Sequence, residues 1–299
     1  MEPLKILLMV GMGATLVAML SAERIRPARA FSFDRGWLWI GLGVMLVFVA
    51  LANGWSVLVP KGWLRDHRLL HGEVLGTAGG ILVWYVFNTF VGYWYHRLQH
   101  RSSLAWRTLH QVHHGVPRVD IPSALLAHPL DVIASTTLSI LVTAFLLGLD
   151  VRAVAIVNTL QFFISLFPHW NVQTPKWVGY IIQRPEEHIL HHQRGVHSGN
   201  YSDWPLWDKL FGTYRSPVDE VVTVGYERAG LAEQLKMLAF IDVNSLNSRN
   251  QGNIPALQSN KYANTGCITD RTSNVTWQKC SQSKRSSSTL VSSRHRDAC

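Results

Sequence analysis

Two stretches of this chain, Trp37–Val59 and Val74–Tyr95, run for 23 and 22 residues without one charged side chain. A helix rising about 1.5 Å per residue needs roughly 20 residues to cross about 30 Å of hydrocarbon. Both stretches are therefore read as membrane spans. Ile6–Ala22 is also uncharged and is followed by Glu23-Arg24-Ile25-Arg26-Pro27, which suits a short span or an uncleaved signal anchor. Leu130–Leu149, with Asp131 at its edge, is a fourth candidate. After a polar turn at Asp150-Val151-Arg152, Ala153–Phe167 returns as a fifth segment of 15 residues. That is too short to span unaided, so it is expected to complete a helical hairpin packed against its partner. A soluble helical bundle fits these runs poorly, since only 16% of the chain is charged against about 25% in soluble domains.

Arginine placement orients the spans. Arg24, Arg26, Arg29 and Arg35 lie between the first two, and Arg97, Arg101, Arg107 and Arg118 follow the third. The positive-inside bias favours loops 23–36 and 96–129 on the cytoplasmic side. The hairpin then returns the chain to that side, so 96–129 and 168–244 are expected to meet on one membrane face. The net charge of +9 does not point to nucleic acid. Residues 245–299 contribute +6 of it and the other 244 residues only +3, which leaves no basic groove. The tail 245–299 has 11 Ser, six Asn and no visible period, and it reads as disordered. It resembles the product of an altered reading frame or a fusion scar. Cys267, Cys280 and Cys299 all lie there, so the body has neither a disulfide framework nor a cysteine zinc site.

Ten of the 14 histidines fall between His96 and His192. His96-Arg-Leu-Gln-His100 follows the third span directly, and a helix running on would place both rings on one face. His110-Gln-Val-His113-His114 and His188-Ile-Leu-His191-His192 each repeat an i, i+3, i+4 spacing. His128 and His169 stand singly at the ends of the hairpin. Imidazole ligates Fe, Zn, Cu and Ni. Burying so many rings without a metal would leave polar groups unpaired at about 1–3 kcal/mol each. Eight to ten neutral ligands exceed the needs of one ion, so two metals are implied. Closed zinc sites more often recruit cysteine, and haem ligation would need histidines inside the spans. A redox-active di-iron centre is the best chemistry, with two zinc ions as the alternative.

The three boxes, with His128-Pro129-Leu130-Asp131, His169-Trp170-Asn171-Val172 and Asn200-Tyr201…Trp207-Asp208-Lys209-Leu210-Phe211-Gly212-Thr213-Tyr214, resemble the fatty acid hydroxylase/sterol desaturase superfamily over about residues 80–215. The resemblance implies membrane-embedded, O2-dependent, di-metal enzymes that hydroxylate or desaturate lipid chains and sterols. It also implies a cytoplasm-facing metal site over a hydrophobic tunnel. Asn-Tyr-Ser at 200–202 departs from the usual Asn-Tyr-Gly and puts one local turn in question.

By resemblance, His96, His100, His110, His113, His114, His188, His191 and His192 are metal ligands, with His169 a ninth and His128 a tenth. Asp131, Asn171, Asp208 and His197 are candidates for orienting the rings, and helix capping is an equal alternative for Asp131, Asn171 and Asp208. Glu186 and Glu187 read as solvated loop charges, and His67 and His71 as ordinary residues of the opposite face. The expected architecture is an all-α integral membrane protein of four to five transmembrane or hairpin helices under a histidine-rich, di-metal helical cap. Its parts are N-terminal spans over 1–73, a catalytic domain over 74–226, a helical segment over 227–244 and the tail. The expected activity is hydroxylation of a lipid or acyl chain with two Fe ions, O2 and external electrons, an ornithine-lipid-type hydroxylase being the narrowest form. Desaturation within the same family and a di-zinc membrane hydrolase are the alternatives. A metal transporter would carry His and carboxylates mid-span, and Trp37–Val59 and Val74–Tyr95 have neither. No HPGG haem motif is present, so a separate cytochrome b5-, ferredoxin- or rubredoxin-like donor is expected. The bacterial inner membrane or the endoplasmic reticulum would house the protein. A chain cut after Tyr226 is expected to be tolerated better than loss of any box histidine.

Overall fold

Each uncharged run forms a helix. In the computed structural model, which describes residues 2–31, 35–217, 222–226 and 231–243, the spans are α1 (Glu2–Ile25), α2 (Arg35–Leu58), α3 (Gly76–Arg101), α4 (Pro129–Ile140) and α5 (Val151–Leu166). Three shorter helices follow: α6 (Pro185–His191), α7 (Pro205–Leu210) and α8 (Leu231–Leu238). A single bridge pairs Gln193 with Val224, and no strand forms among the described residues. A wide π turn over Leu141–Leu146 prolongs α4, so Pro129–Leu146 is an 18-residue apolar helical stretch. Among the described residues, five helical stretches are long and apolar enough to cross a membrane. Their outer surfaces carry Ile6, Leu7, Leu46, Val47 and Leu82, all exposed, as a lipid-facing wall requires. The tail 245–299 and its three cysteines lie outside the described residues.

The fifth segment differs from expectation in two ways. It runs from Val151 to His169, 19 helical residues, which is enough to cross unaided. Nor are its arms paired chiefly with each other: α4 lies along α2, while α5 lies along α3. Polar ties record this arrangement. Trp55 Nε1 donates to Thr137 Oγ1 at 2.7 Å, joining α2 to α4. Asn88 Nδ2 donates to Gln161 Oε1 at 2.6 Å, joining α3 to α5. Between α3 and α5 sits a core of Trp84, Leu149, Ala153, Val157 and Ile164, and Gly80 lets the two backbones approach.

Turn chemistry fixes both ends of this unit. Asp150 caps α5 by accepting from Arg152 N and Ala153 N, as helix starts require. Loop 69–73 is laced to the α4–α5 turn by Leu69 N, Leu70 N, Gly72 N and Glu73 N donating to the carbonyls of Phe145, Leu146, Leu147 and Gly148. Gly148 holds φ +59°, and a Cβ there would sit 2.4 Å from the Leu70 carbonyl oxygen. Gly148→Ala is expected to destabilise the protein by about 1–3 kcal/mol, read as a lower thermal midpoint in detergent. Gly11→Ala, with nothing near its added carbon, should leave that midpoint unchanged or slightly raised.

Candidate metal centre

Five local structures bring the histidines to one end of the spans. His96 and His100 ride on the last turns of α3. His110 closes a π turn over Trp106–His110, and His113 and His114 follow in the short helix Gln111–His114. His169 ends the tight turn after α5. His188 and His191 lie on α6, with His192 at its end. Pro185 opens α6, and the Glu187 carboxylate takes the Arg184 N–H at 3.0 Å. Histidines of segments 96–129 and 168–192 thus gather at the same end of the spans.

Nine imidazoles form two nests. His96, His100, His110, His114 and His191 make one, and His113, His169, His188 and His192 the other; within each, the ligand atoms all lie within 4.8 Å of one another. Each HxxHH box is divided. His110 and His114, one turn apart, enter the five-histidine nest while His113 turns into the four-histidine nest. His188 and His192 do the reverse, sending His191 across. Positions i+3 and i+4 differ by about 100° around a helix, so one box can face two centres.

Ring protonation shows what these nests can hold. His113 Nδ1 donates to the Leu126 carbonyl at 3.2 Å and His169 Nδ1 to the Ser165 carbonyl at 3.3 Å. His188 Nδ1 donates to Gln183 Oε1 at 2.6 Å. That amide is itself fixed, because Gln183 Nε2 donates to the Asn200 carbonyl. A carbonyl only accepts, so in the neutral ring each Nε2 carries a bare lone pair. Yet His169 Nε2 lies 3.0 Å from His113 Nε2 and 3.1 Å from His188 Nε2. In the other nest, His96 Nδ1 donates to the Tyr201 carbonyl and His191 Nδ1 to the Gly199 carbonyl. Their Nε2 atoms face His110 and His114 at 2.9 and 3.0 Å.

Protonation does not relieve this crowding. Burial holds His113 down at about 4 and pushes His110, His114, His188, His191 and His192 well below the ordinary imidazole range. Converging lone pairs on uncharged rings need a cation between them. A metal–imidazole bond of about 2.1 Å places nitrogens at right angles about 3.0 Å apart, the spacing found here. The donor set therefore fits two metal ions, each held by imidazole alone.

The remaining expected site residues fall elsewhere. His128 joins neither nest: Nδ1 accepts from Leu130 N at the start of α4, and Nε2 lies 3.2 Å from the Leu238 carbonyl. Both nitrogens are used, so it caps one helix and hooks another. Asp131 accepts from Tyr95 Oη and Gln99 Nε2, bracing α4 against α3 without touching an imidazole. Asn171 grips the backbone of Arg29 through both atoms of its amide. Asp208 is one step from a ligand: it accepts from Tyr201 N, Ser202 N and Thr213 Oγ1, and the Tyr201 carbonyl holds His96. His197 Nδ1 lies 3.3 Å from His114 Nδ1, on the outer side of that ring. Glu186 and Glu187 are not solvated charges. Glu186 accepts from Thr174 N and Oγ1, while Glu187 is buried and also takes the Tyr214 hydroxyl.

Most of the outer hydrogen-bond partners are backbone carbonyls of Leu126, Ser165, Gly199 and Tyr201, which leave no residue type to read. Gly199 was the legible one: at φ +81° its Cβ would meet Thr213 O at 2.8 Å, so only glycine delivers that carbonyl. Asn200, also left-handed at φ 52°, clamps Glu187 O and Arg215 O. Ser202 is not in the left-handed region, so the turn needs no glycine there.

A helical, five-span chain that gathers nine imidazoles at one end of its spans is a histidine-box membrane protein. Residues 81–213 match the fatty acid hydroxylase family, and that region is similar to members of the fatty acid hydroxylase/sterol desaturase superfamily. Among its relatives is the Delta(7)-sterol 5(6)-desaturase ERG3B of Gibberella zeae, 28% identical over 54% of this chain and 50% of that protein. The alkylglycerol monooxygenase of Homo sapiens is 28% identical over 46% of this chain and 32% of its own length. A very-long-chain aldehyde decarbonylase, GL1-7 of Oryza sativa, is 30% identical over 47% and 23%. The chain thus spans half or less of the length of these relatives. No solved structure gives a significant match.

Proposed function

We propose that the protein is a membrane-bound, O2-dependent di-iron enzyme that hydroxylates a lipid or acyl chain. The observation that carries this reading is the convergence of bare Nε2 lone pairs at 3.0–3.1 Å in the four-histidine nest. Imidazole donors without thiolate or carboxylate suit iron, and the relatives by name include a desaturase and a monooxygenase. When bound, the two irons would supply O2 reduction and attack on an unactivated C–H bond. The overall balance is one C–H, one O2, two electrons and two protons, giving C–OH and water. The chain's own residues set the conditions. Five spans bring the reacting bond from the bilayer, nine rings would hold the metals, and the carbonyls of Leu126, Ser165, Gly199 and Tyr201 fix the tautomers of His113, His169, His191 and His96. An apolar groove of about 480 Å³ between α1 and α5, walled by Met19, Leu160, Phe163, Ile164, Phe167 and Trp170, suits an alkyl chain.

Electrons come from a separate cytochrome b5-, ferredoxin- or rubredoxin-like protein, and the nests face the cytoplasm. Oxygen insertion is favoured because an alkylglycerol monooxygenase is among the relatives, and an ornithine-lipid-type substrate is the narrowest form. Desaturation is the second reading, on the strength of the sterol desaturase, which covers 54% of the chain. Mass spectrometry of lipids from cells expressing the wild type or His113→Ala decides. A His113-dependent gain of one oxygen atom means hydroxylation, and a loss of two hydrogens means desaturation. Identical lipid profiles in cells supplied with O2 and a donor would overturn both.

A further inference from the structure

α1 stands almost wholly against lipid, and the side chains it buries are Met19 and Glu23. The two positions meet Trp170 and Asn171, the two residues that follow His169 after α5. Trp170 Nε1 donates to the Met19 carbonyl at 2.8 Å. Glu23 Oε2 accepts the Asn171 N–H at 3.0 Å and, with the same oxygen, the Ile121 N–H at 3.0 Å. The chain beyond α1 then returns to the same residue. Ala28 N donates to the Asn171 carbonyl at 2.9 Å, Arg29 N to Asn171 Oδ1 at 3.0 Å, and Asn171 Nδ2 to the Arg29 carbonyl at 2.9 Å. Glu23 therefore joins two stretches of backbone that leave the nests, one seven residues past His114 and one two residues past His169. Residues 1–80 lie outside the matched family region, so this clamp comes from the part of the chain that carries no histidine ligand.

We propose that Glu23, through Asn171, is a positioning residue for the four-histidine nest, and that metal occupancy of that nest depends on the N-terminal helix. His169 is the one ligand delivered by α5; His113 comes from the helix Gln111–His114, and His188 and His192 from α6 and its end. The His169 ring leaves the chain two residues before the clamped amide. Once the Asn171 and Ile121 N–H groups lose their shared acceptor, they must be re-satisfied by moving the backbone, and the ring moves with it. The five-histidine nest has no ligand on that segment and keeps its metal.

The inference rests on reading the nests as metal sites, and metal content tests it apart from activity. The full chain is purified in detergent from iron-supplemented cells and its metal measured by mass spectrometry. Wild type should carry about two ions per chain, and Glu23→Ala and His169→Ala about one each. The Glu23→Ala/His169→Ala double variant should hold no less than either single variant, because both changes act on one nest. Glu23→Gln should keep the wild-type ratio, since one amide oxygen can accept both N–H groups. Wild-type metal in Glu23→Ala, or further loss in the double variant, would overturn the proposal. Should Glu23→Ala fail to fold, Trp170→Phe removes only the indole bond to Met19. It should then release one of its two metals to a chelator faster than wild type does. Equal release from both nests, or release at the wild-type rate, would sink the proposal. A wild-type chain without metal would instead overturn the metal reading itself.

Discussion

Alanine at His113 or His191 should abolish turnover while leaving the protein in the membrane. Each ring enters a different nest, and neither lies on a membrane span. Removing one takes a donor from a set of four or five and leaves a carbonyl, Leu126 O or Gly199 O, without its N–H. Loss of an outer partner of a ligand histidine costs about 10- to 100-fold in affinity or activity, and loss of the ligand itself should exceed that, at about 10³-fold or more. Product lipid measured against the amount of membrane-fraction protein checks both halves of the expectation. Gln183→Ala offers a graded comparison. It removes the Oε1 that holds His188 Nδ1 and should weaken metal binding by about 10- to 100-fold without emptying the nest outright.

A chain ending at Tyr226 should be far less stable than one ending at Val243. Met237 is fully buried against Trp106, Val112, Tyr226 and Val243. Gln111, inside the second histidine box, is also fully buried and donates its amide to the Ile241 carbonyl at 3.0 Å. His128 loses its partner at Leu238 in the shorter chain. Emptying the Met237 pocket costs about 2–5 kcal/mol, and the Gln111 amide keeps only its bond to the Arg107 carbonyl. The sequence suggested only that this cut would be tolerated better than loss of any box histidine. Residues 231–243 cover the box from outside. Thermal unfolding of the two truncated chains in detergent measures the difference, and equal midpoints would refute it.

Span number and the gathering of the histidine boxes were legible in the sequence because lipid excludes charge and because helical spacing fixes which residues share a face. The partition of each box between two nests was not legible, since spacing says nothing of what stands opposite that face. His128 looked like a ligand because a capping imidazole and a ligating one are the same residue at the end of the same span. Glu23 had the profile of an ordinary flanking charge after an apolar run. Its role depends on backbone N–H groups at Ile121 and Asn171, nearly 100 and 150 residues away. Glu187 was misread for a different reason: its contact to the Arg184 N–H, three residues earlier, is a capping contact at a helix start, and only Tyr214, 27 residues on, lay beyond any local pattern.

The hydrogen bond between Asn88 and Gln161 carries one more consequence. Asn88 precedes His96 by eight residues and Gln161 precedes His169 by eight, so the pair lies about 12 Å below both rings. Sliding α3 past α5 by one helical turn, about 5.4 Å, would break that bond in hydrocarbon, where an unpaired amide has no water to turn to. The pair works as a detent between two pistons. Their upper ends, one feeding each nest, are locked to a common height, and the spacing between the centres is set from deep within the bilayer.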